Sequence, residues 1–319
     1  MKIPKFMERL AVVSIVAAFT GGAYAAQLDT DARTAIPSDV QQIIVVDYRA
    51  MQNSSAAMDL KARILPPELK QLEQALKVSG FNENHDVEEL AFAAFRTNDG
   101  ENGVRTVGIA QGQFSVPDIM ASFKKKGIKP KMIRANQLYP MGASGMTVVF
   151  LNPTTMIFGS NDALKSALDA RDGLAPNFLT NQAMVDEMGR IDSEPVWSIL
   201  DQKGTQYMMH SLLGQAAQVA DYEQVKKRLI GSHYTMDFQN GVKFSLQVST
   251  PDTFTAATLS SLLNAAALYE KMSGTAIEKQ AIDSTTIDSS AGDLEVNYSS
   301  SDSQFSALLQ SPLFQTVVR

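Results

Sequence analysis

Chemistry-bearing residues are sparse in this chain. Its only imidazoles are His85, His210 and His233, and none stands in an H-E-x-x-H or H-x-H arrangement. Cysteine is absent, which removes disulfides, thiolate metal sites and cysteine nucleophiles in one step. No G-x-S-x-G elbow, Walker loop or G-x-G-x-x-G is present. The acids of most interest are Asp47 and Asp201, which end two short apolar runs, IIVVD at 43–47 and WSILD at 197–201. Facing one another across a cleft, they could act as an acid and base pair. Separately, each would cap the turn or helix that follows through backbone N–H groups. The recurrence of one arrangement favours capping, because a catalytic pair has no need of identical surroundings.

Two further groups can be weighed in the same way. Lys124, Lys125, Lys126, Lys129, Lys131 and Arg134 form the one dense basic run, which could grip an anionic polymer or a lipid headgroup. Lysines at a helix C-terminus also suit the helix dipole, and that plainer reading is preferred. Tyr207-Met208-Met209-His210 offers soft ligands of the kind that suit Cu(I). The 15 methionines are spread along the chain, however, and core filling is the preferred use. No metal site and no cofactor is expected.

The elements that must position these residues come in two similar sets. SNDALKSAL at 160–168 and SSDSQFSAL at 300–308 both fit S-x-D-x-x-x-S-A-L. The spacing predicts helices starting at Ser160 and Ser300, with Asp162 and Asp302 in their first turns. Ser115-Val116-Pro117-Asp118 matches Ser249-Thr250-Pro251-Asp252, where strand-like runs give way to helix-like ones. Ahead of these lie Asn102-Gly103 and Asn240-Gly241, each between apolar alternating runs, a strong hairpin signal. With the two apolar runs ending in Asp, four landmarks recur in one order, which points to an internal repeat.

In the first copy, strands are expected at 43–48, 90–96, 105–114, 133–139, 146–151 and 155–159, and helices at 58–78, 117–126 and 162–170. Leu69, Leu72 and Leu76 keep helical spacing, and Pro66-Pro67 restarts the helix. In the second copy a helix is expected at 254–272, nearly apolar over 259–268 and therefore buried between layers or between copies. The predicted fold is α+β: two tandem β-α-β-β-α-β modules, mainly antiparallel, with helices on one face. The copies span 36–172 and 190–319, joined by a linker at 173–189 with a short helix, and a tail at 26–35 precedes them.

The first 25 residues read as an export signal. Lys2, Lys5 and Arg9 precede an apolar run at 10–19, and Ala23-Tyr24-Ala25 fits an A-x-A cleavage site. The run is shorter than the roughly 20 residues a membrane span requires. Cleavage after Ala25 shifts the net charge from −6 to −8, which disfavours nucleic acid as a partner. No later stretch is long and apolar enough to span a membrane.

The apolar strands ending in Asp, at Val46-Asp47 and Leu200-Asp201, and the pattern Leu179-Thr180-Asn181-Gln182-Ala183-Met184 ahead of the next strand resemble a family of exported bacterial proteins built from repeated α+β modules. The resemblance implies an extracytoplasmic α+β protein and carries no activity. An acidic, motif-poor, duplicated and exported chain is expected to be a non-catalytic binding or scaffold protein of the bacterial envelope, periplasmic or extracellular. Its partner would be an envelope component or another protein, met in a groove between the copies. An exported hydrolase using carboxylates and a metal-handling protein using Met and His are the alternatives.

Overall fold

Ile43–Val46 is apolar without alternation, and a strand of that kind needs cover on both faces. The computed structural model describes residues 27–97, 103–214, 217, 220–312 and 314. The segment expected as an export signal and Asn102 lie outside the described residues.

In chain order, the helix α1 (Thr30–Thr34) leads to β1 (Val40–Asp47), the short α2 (Tyr48–Met51), α3 (Ser55–Ile64), α4 (Pro67–Val78) and the single turn α5 (Glu83–Asp86). The strands β2 (Val87–Arg96) and β3 (Val104–Gly112) follow, then α6 (Val116–Lys125), β4 (Lys131–Ile133), β5 (Asn136–Pro140), β6 (Thr147–Phe150), β7 (Thr155–Gly159), α7 (Asn161–Arg171) and α8 (Gln182–Ile191). The second half comprises β8 (Val196–Leu200), α9 (Gln202–Leu213), α10 (Ala220–Lys226), β9 (Gly231–Asp237), β10 (Val242–Ser249), α11 (Thr253–Ser273), α12 (Ala276–Asp283), β11 (Thr285–Ser290), β12 (Asp293–Ser300) and α13 (Asp302–Leu308).

The fold is α+β. All the strands join one 12-stranded sheet in the order β11-β12-β10-β9-β8-β1-β2-β3-β7-β6-β5-β4, and every pairing is antiparallel. The antiparallel pair β1·β8 lies at the centre, with Ile44 opposite Ser198 and Val46 opposite Val196. Moving outward from it, the first half runs β1-β2-β3-β7-β6-β5-β4 and the second β8-β9-β10-β12-β11. Gly103 immediately precedes β3 and Gly241 immediately precedes β10. Asn240 and Gly241 both have positive φ, 60° and 105°, as a type I′ hairpin turn demands.

The expectation of helices on one face holds only for the second half beyond β8, whose Trp197 and Ile199 pack with α8 on the other face. There α9, α10 and α11 cover the face bearing Tyr234, Leu246 and Leu294. The first half is covered on both sides. Ile44 and Val46 pack with α2, α3, α4 and α6, whereas Ile43 and Val45 pack with α1, α7 and α8. The physical reason is the unalternating run itself: side chains of period two place Ile43 and Val45 on the face opposite Ile44 and Val46, so both faces need an apolar layer. One consequence is that the segment expected as a tail contains α1, with Leu28, Ala32 and Ala35 buried in the core on that face of the sheet.

Three local boundaries also differ. The strand expected at 133–139 is two strands, β4 and β5, because Arg134 turns the chain at φ 53°. The helix start assigned to Ser300 falls one residue later: Ser301 is the N-cap of α13 and Ser300 ends β12, while Ser160 does cap α7. The helix α11 is buried along Thr255, Ala256, Leu259 and Leu263, with Phe254 and Met272 each 77% exposed. The sheet covers one side of it, and α9, α10 and α12 make further contacts with it. The halves nevertheless share one core, since Val196, Met236, Val242 and Phe305 of the second half pack in the same cluster as Leu60 and Leu69 of the first.

Candidate functional site

Pro66-Pro67 forces an elbow between α3 and α4, because proline cannot continue a helix but is accommodated in a first turn. Ser54 caps α3 by accepting from the Ala57 N–H at 3.4 Å. The α4 stripe Leu69, Leu72 and Leu76 is then aimed at the sheet. The elbow leaves the two helices spread over β1, β2, β3 and β7 instead of seated on them. A cavity of about 660 Å³ lies beneath, floored by Ile44, Phe92, Ala110 and Phe158 and roofed by Leu69 and Leu72. That volume falls within the range of small-molecule sites, about 300–1,000 Å³. Burial along β2 records the gap: Ala91 and Ala93 on the far face are fully buried, while Leu90 and Phe92 on the cavity face are only half-buried.

One polar cluster interrupts this apolar lining. Lys61 is buried on the inner face of α3. Its ammonium group lies 2.7 Å from Glu73 Oε1 and 3.2 Å from Glu83 Oε1. It also donates to Tyr48 Oη at 3.0 Å and sits 4.8 Å from the centre of that ring. Tyr48 in turn donates to Asn84 Oδ1 at 3.2 Å. Burial opposes the charge on Lys61, but Glu73 and Tyr48 outweigh it and hold the pKa above the usual lysine value. Burial pushes the Tyr48 phenol up to about 12. Burial also raises Glu73, with Lys61 opposing. Lys61 thus stays protonated and supplies a charge, not a nucleophile. The cluster ties α2, α3, α4 and α5 together around the cavity mouth.

The acids singled out from sequence lie elsewhere. Asp47 N–H donates to the Pro195 carbonyl and Asp201 N–H to the Gln41 carbonyl, which puts them at opposite ends of the β1·β8 pair. At about 3.4 Å per residue they stand roughly 20 Å apart and share no cleft. Each caps a helix: Asp47 Oδ1 accepts from Ala50 N–H and Asp201 Oδ1 from Gly204 N–H, both at 2.8 Å. Burial raises both carboxyl pKa values, with the capping N–H groups opposing. Asp201 is also paired with Arg96.

The basic run is divided among different tasks. Lys124 and Lys125 are exposed in the last turn of α6. Lys126 donates to the Val78 carbonyl and to Ser79 Oγ, fastening the end of α6 to the end of α4. Lys129 and Lys131 are exposed, and Arg134 pairs with Asp169 at 2.6 Å and Asp172 at 3.0 Å. Of the soft-ligand set, Met208 and Met209 are buried in the core beneath α9 while Tyr207 and His210 face outward. His85 meets Asp86, and His233 meets Glu187. Among the described residues no three His, Cys, Asp or Glu side chains are grouped to hold a metal ion.

Sequence reasoning passed over Lys61, Glu73 and the cavity. A signal was present: Lys61 falls on the apolar stripe Ala57, Leu60 and Ile64 of α3, where a charge needs a partner. Among the described residues no helix is long and apolar enough to cross a membrane.

Neither a protein-family model nor a curated protein matches the chain. Among solved structures it is similar to crystal form I of TP0453, with a TM-score of 0.48 and 10% identity over 90% of this chain and 98% of that one. Crystal form III of TP0453 gives a TM-score of 0.46 and 10% identity over 89% and 98%.

Proposed function

We propose that the protein is an exported, non-catalytic binding protein of the cell envelope, and that the apolar part of its ligand occupies the cavity under α3 and α4. The cavity is the observation that carries this reading. About 660 Å³ of space lined mainly by apolar side chains is costly to leave unfilled in a packed protein, and an apolar ligand would recover that contact. The Lys61 cluster beside it is internally satisfied, as expected of a preformed site. The separation of Asp47 from Asp201 and the burial of Met208 and Met209 give the hydrolase and metal-handling alternatives no comparable support. We also propose that the halves either side of β1·β8 are copies of one module; their matching order of landmarks supports this. In this reading the cavity belongs to the first copy, not to a groove between copies.

The neutral apolar probe N-phenylnaphthylamine tests the proposal, with the full mature chain stripped of bound lipid. It should bind saturably at one site per chain. Ala110→Leu, which adds three carbons to the cavity floor, should weaken it at least tenfold. Absence of binding, or binding indifferent to Ala110→Leu in a folded protein, refutes the cavity reading.

A further inference from the structure

The charges that line the cavity are unequal in their commitments. Lys61 lies deep, and its charge is taken up by Glu73 and Glu83. Lys70 and Lys77 lie on the outer stripe of α4, at the cavity rim. Lys70 donates only to the Ala62 carbonyl, at 2.7 Å, and Lys77 has no ion-pair partner among the described residues. The lining therefore carries three lysines against two glutamates, in a chain whose overall charge is −6. Beyond the cavity lining, Lys126 is bonded to the Val78 carbonyl, next in the chain to Lys77, and the exposed Lys124 and Lys125 precede it in the last turn of α6. The mouth is thus a cationic edge on an acidic protein, directly over an apolar hollow.

We infer that the ligand is an anionic amphiphile: its hydrocarbon chain fills the cavity and its carboxylate or phosphate sits at the rim between Lys70 and Lys77, with Lys124 and Lys125 adding to the local potential. This rests on the cavity reading above and goes beyond it by naming the headgroup. A neutral headgroup would leave the rim ammonium groups hydrated but unpaired, and a cationic one would meet them directly. The basic run read from sequence as a solvated helix end then has a second use, as the outer part of one site.

The test is a displacement series against N-phenylnaphthylamine with four ligands of equal chain length: dodecanoate, dodecyl phosphate, dodecanol and dodecyltrimethylammonium. Both anions should bind about tenfold tighter than dodecanol, the size expected of two exposed charge contacts, and the cation more weakly than either. The advantage should shrink as salt rises. Lys70→Gln/Lys77→Gln should erase most of it, lowering affinity for the anions several-fold more than affinity for the neutral probe. A difference between dodecanoate and dodecyl phosphate tells a fatty-acid source from a phospholipid one. Equal affinity for dodecanol and the anions, or anion binding untouched by the double variant, overturns the headgroup inference while the cavity reading stands. Failure of the neutral probe itself overturns both.

Discussion

Replacing Lys61 by Met keeps the length of the side chain and removes its charge. The ammonium group is nearly enclosed, with the side chain 11% exposed, but Glu73 and Glu83 keep 35% and 33% of theirs. Breaking a fully buried ion pair by removing one partner costs about 3–5 kcal/mol, and an exposed pair is worth about 0–1 kcal/mol. Two carboxylates that remain one-third wet bring the expected loss to about 2 kcal/mol at pH 7.5. Glu73→Gln added to Lys61→Met should return about half of this, because one of the two stranded charges is then gone. Urea unfolding followed through Trp197 reads the effect, since this single tryptophan is fully buried between the β1·β8 pair and the α8 layer. The midpoint should fall at constant slope. The pH dependence has a definite sign. Burial already raises Glu73, and without Lys61 its folded-state pKa rises further above the unfolded value. The folded state then holds more protons than the unfolded one, so the deficit should shrink as pH falls from 7.5 to 5. A loss below about 0.5 kcal/mol, within the range of an ordinary surface substitution, or a deficit equal at both pH values, would show that Lys61 does not organise the cavity mouth.

Asp201→Ala should cost about 0.5–2 kcal/mol for the lost cap of α9, whereas Asp201→Asn keeps the accepting oxygen and should lose only the part-exposed Arg96 pair, about 0–1 kcal/mol; equal losses in urea unfolding would refute the capping role. Glu89 accepts from Gln27 N–H and Gln111 Nε2, and burial pushes its carboxyl up to about 8. Its folded pKa lies above the unfolded one, so stability should fall as pH rises from about 4.5 towards 8. Glu89→Gln should flatten that slope and stabilise the protein at pH 8 by about 1–2 kcal/mol after allowing for partial exposure. An unchanged stability profile between pH 5 and 8 would contradict this.

Local signals in the chain were sufficient for the α+β class and for most element starts. Asn240-Gly241 specifies its turn because only that backbone accommodates two positive φ values, Ser160 specifies a helix start by supplying an acceptor, and Pro66-Pro67 specifies an elbow by removing N–H donors. Each acts within a few residues, so each is written locally. The layering on both faces of the first half was also written, in the unalternating Ile43–Val46, but the module pattern obscured it. The pairing of β1 with β8 was not legible, because Ile44 and Ser198 are 154 positions apart and nothing local selects one apolar strand as partner over another. That pairing is what sets Asp47 and Asp201 at opposite ends of the β1·β8 pair and removes the acid and base pair. The cavity is a tertiary property in the same sense. It arises from the distance at which α3 and α4 stand off the sheet, and helical periodicity tells which residues face inward, not whether they arrive. Lys61 shows the limit most directly: the sequence places a lysine on an apolar stripe, but only the fold brings Glu73, Glu83 and Tyr48 from three other segments to meet it.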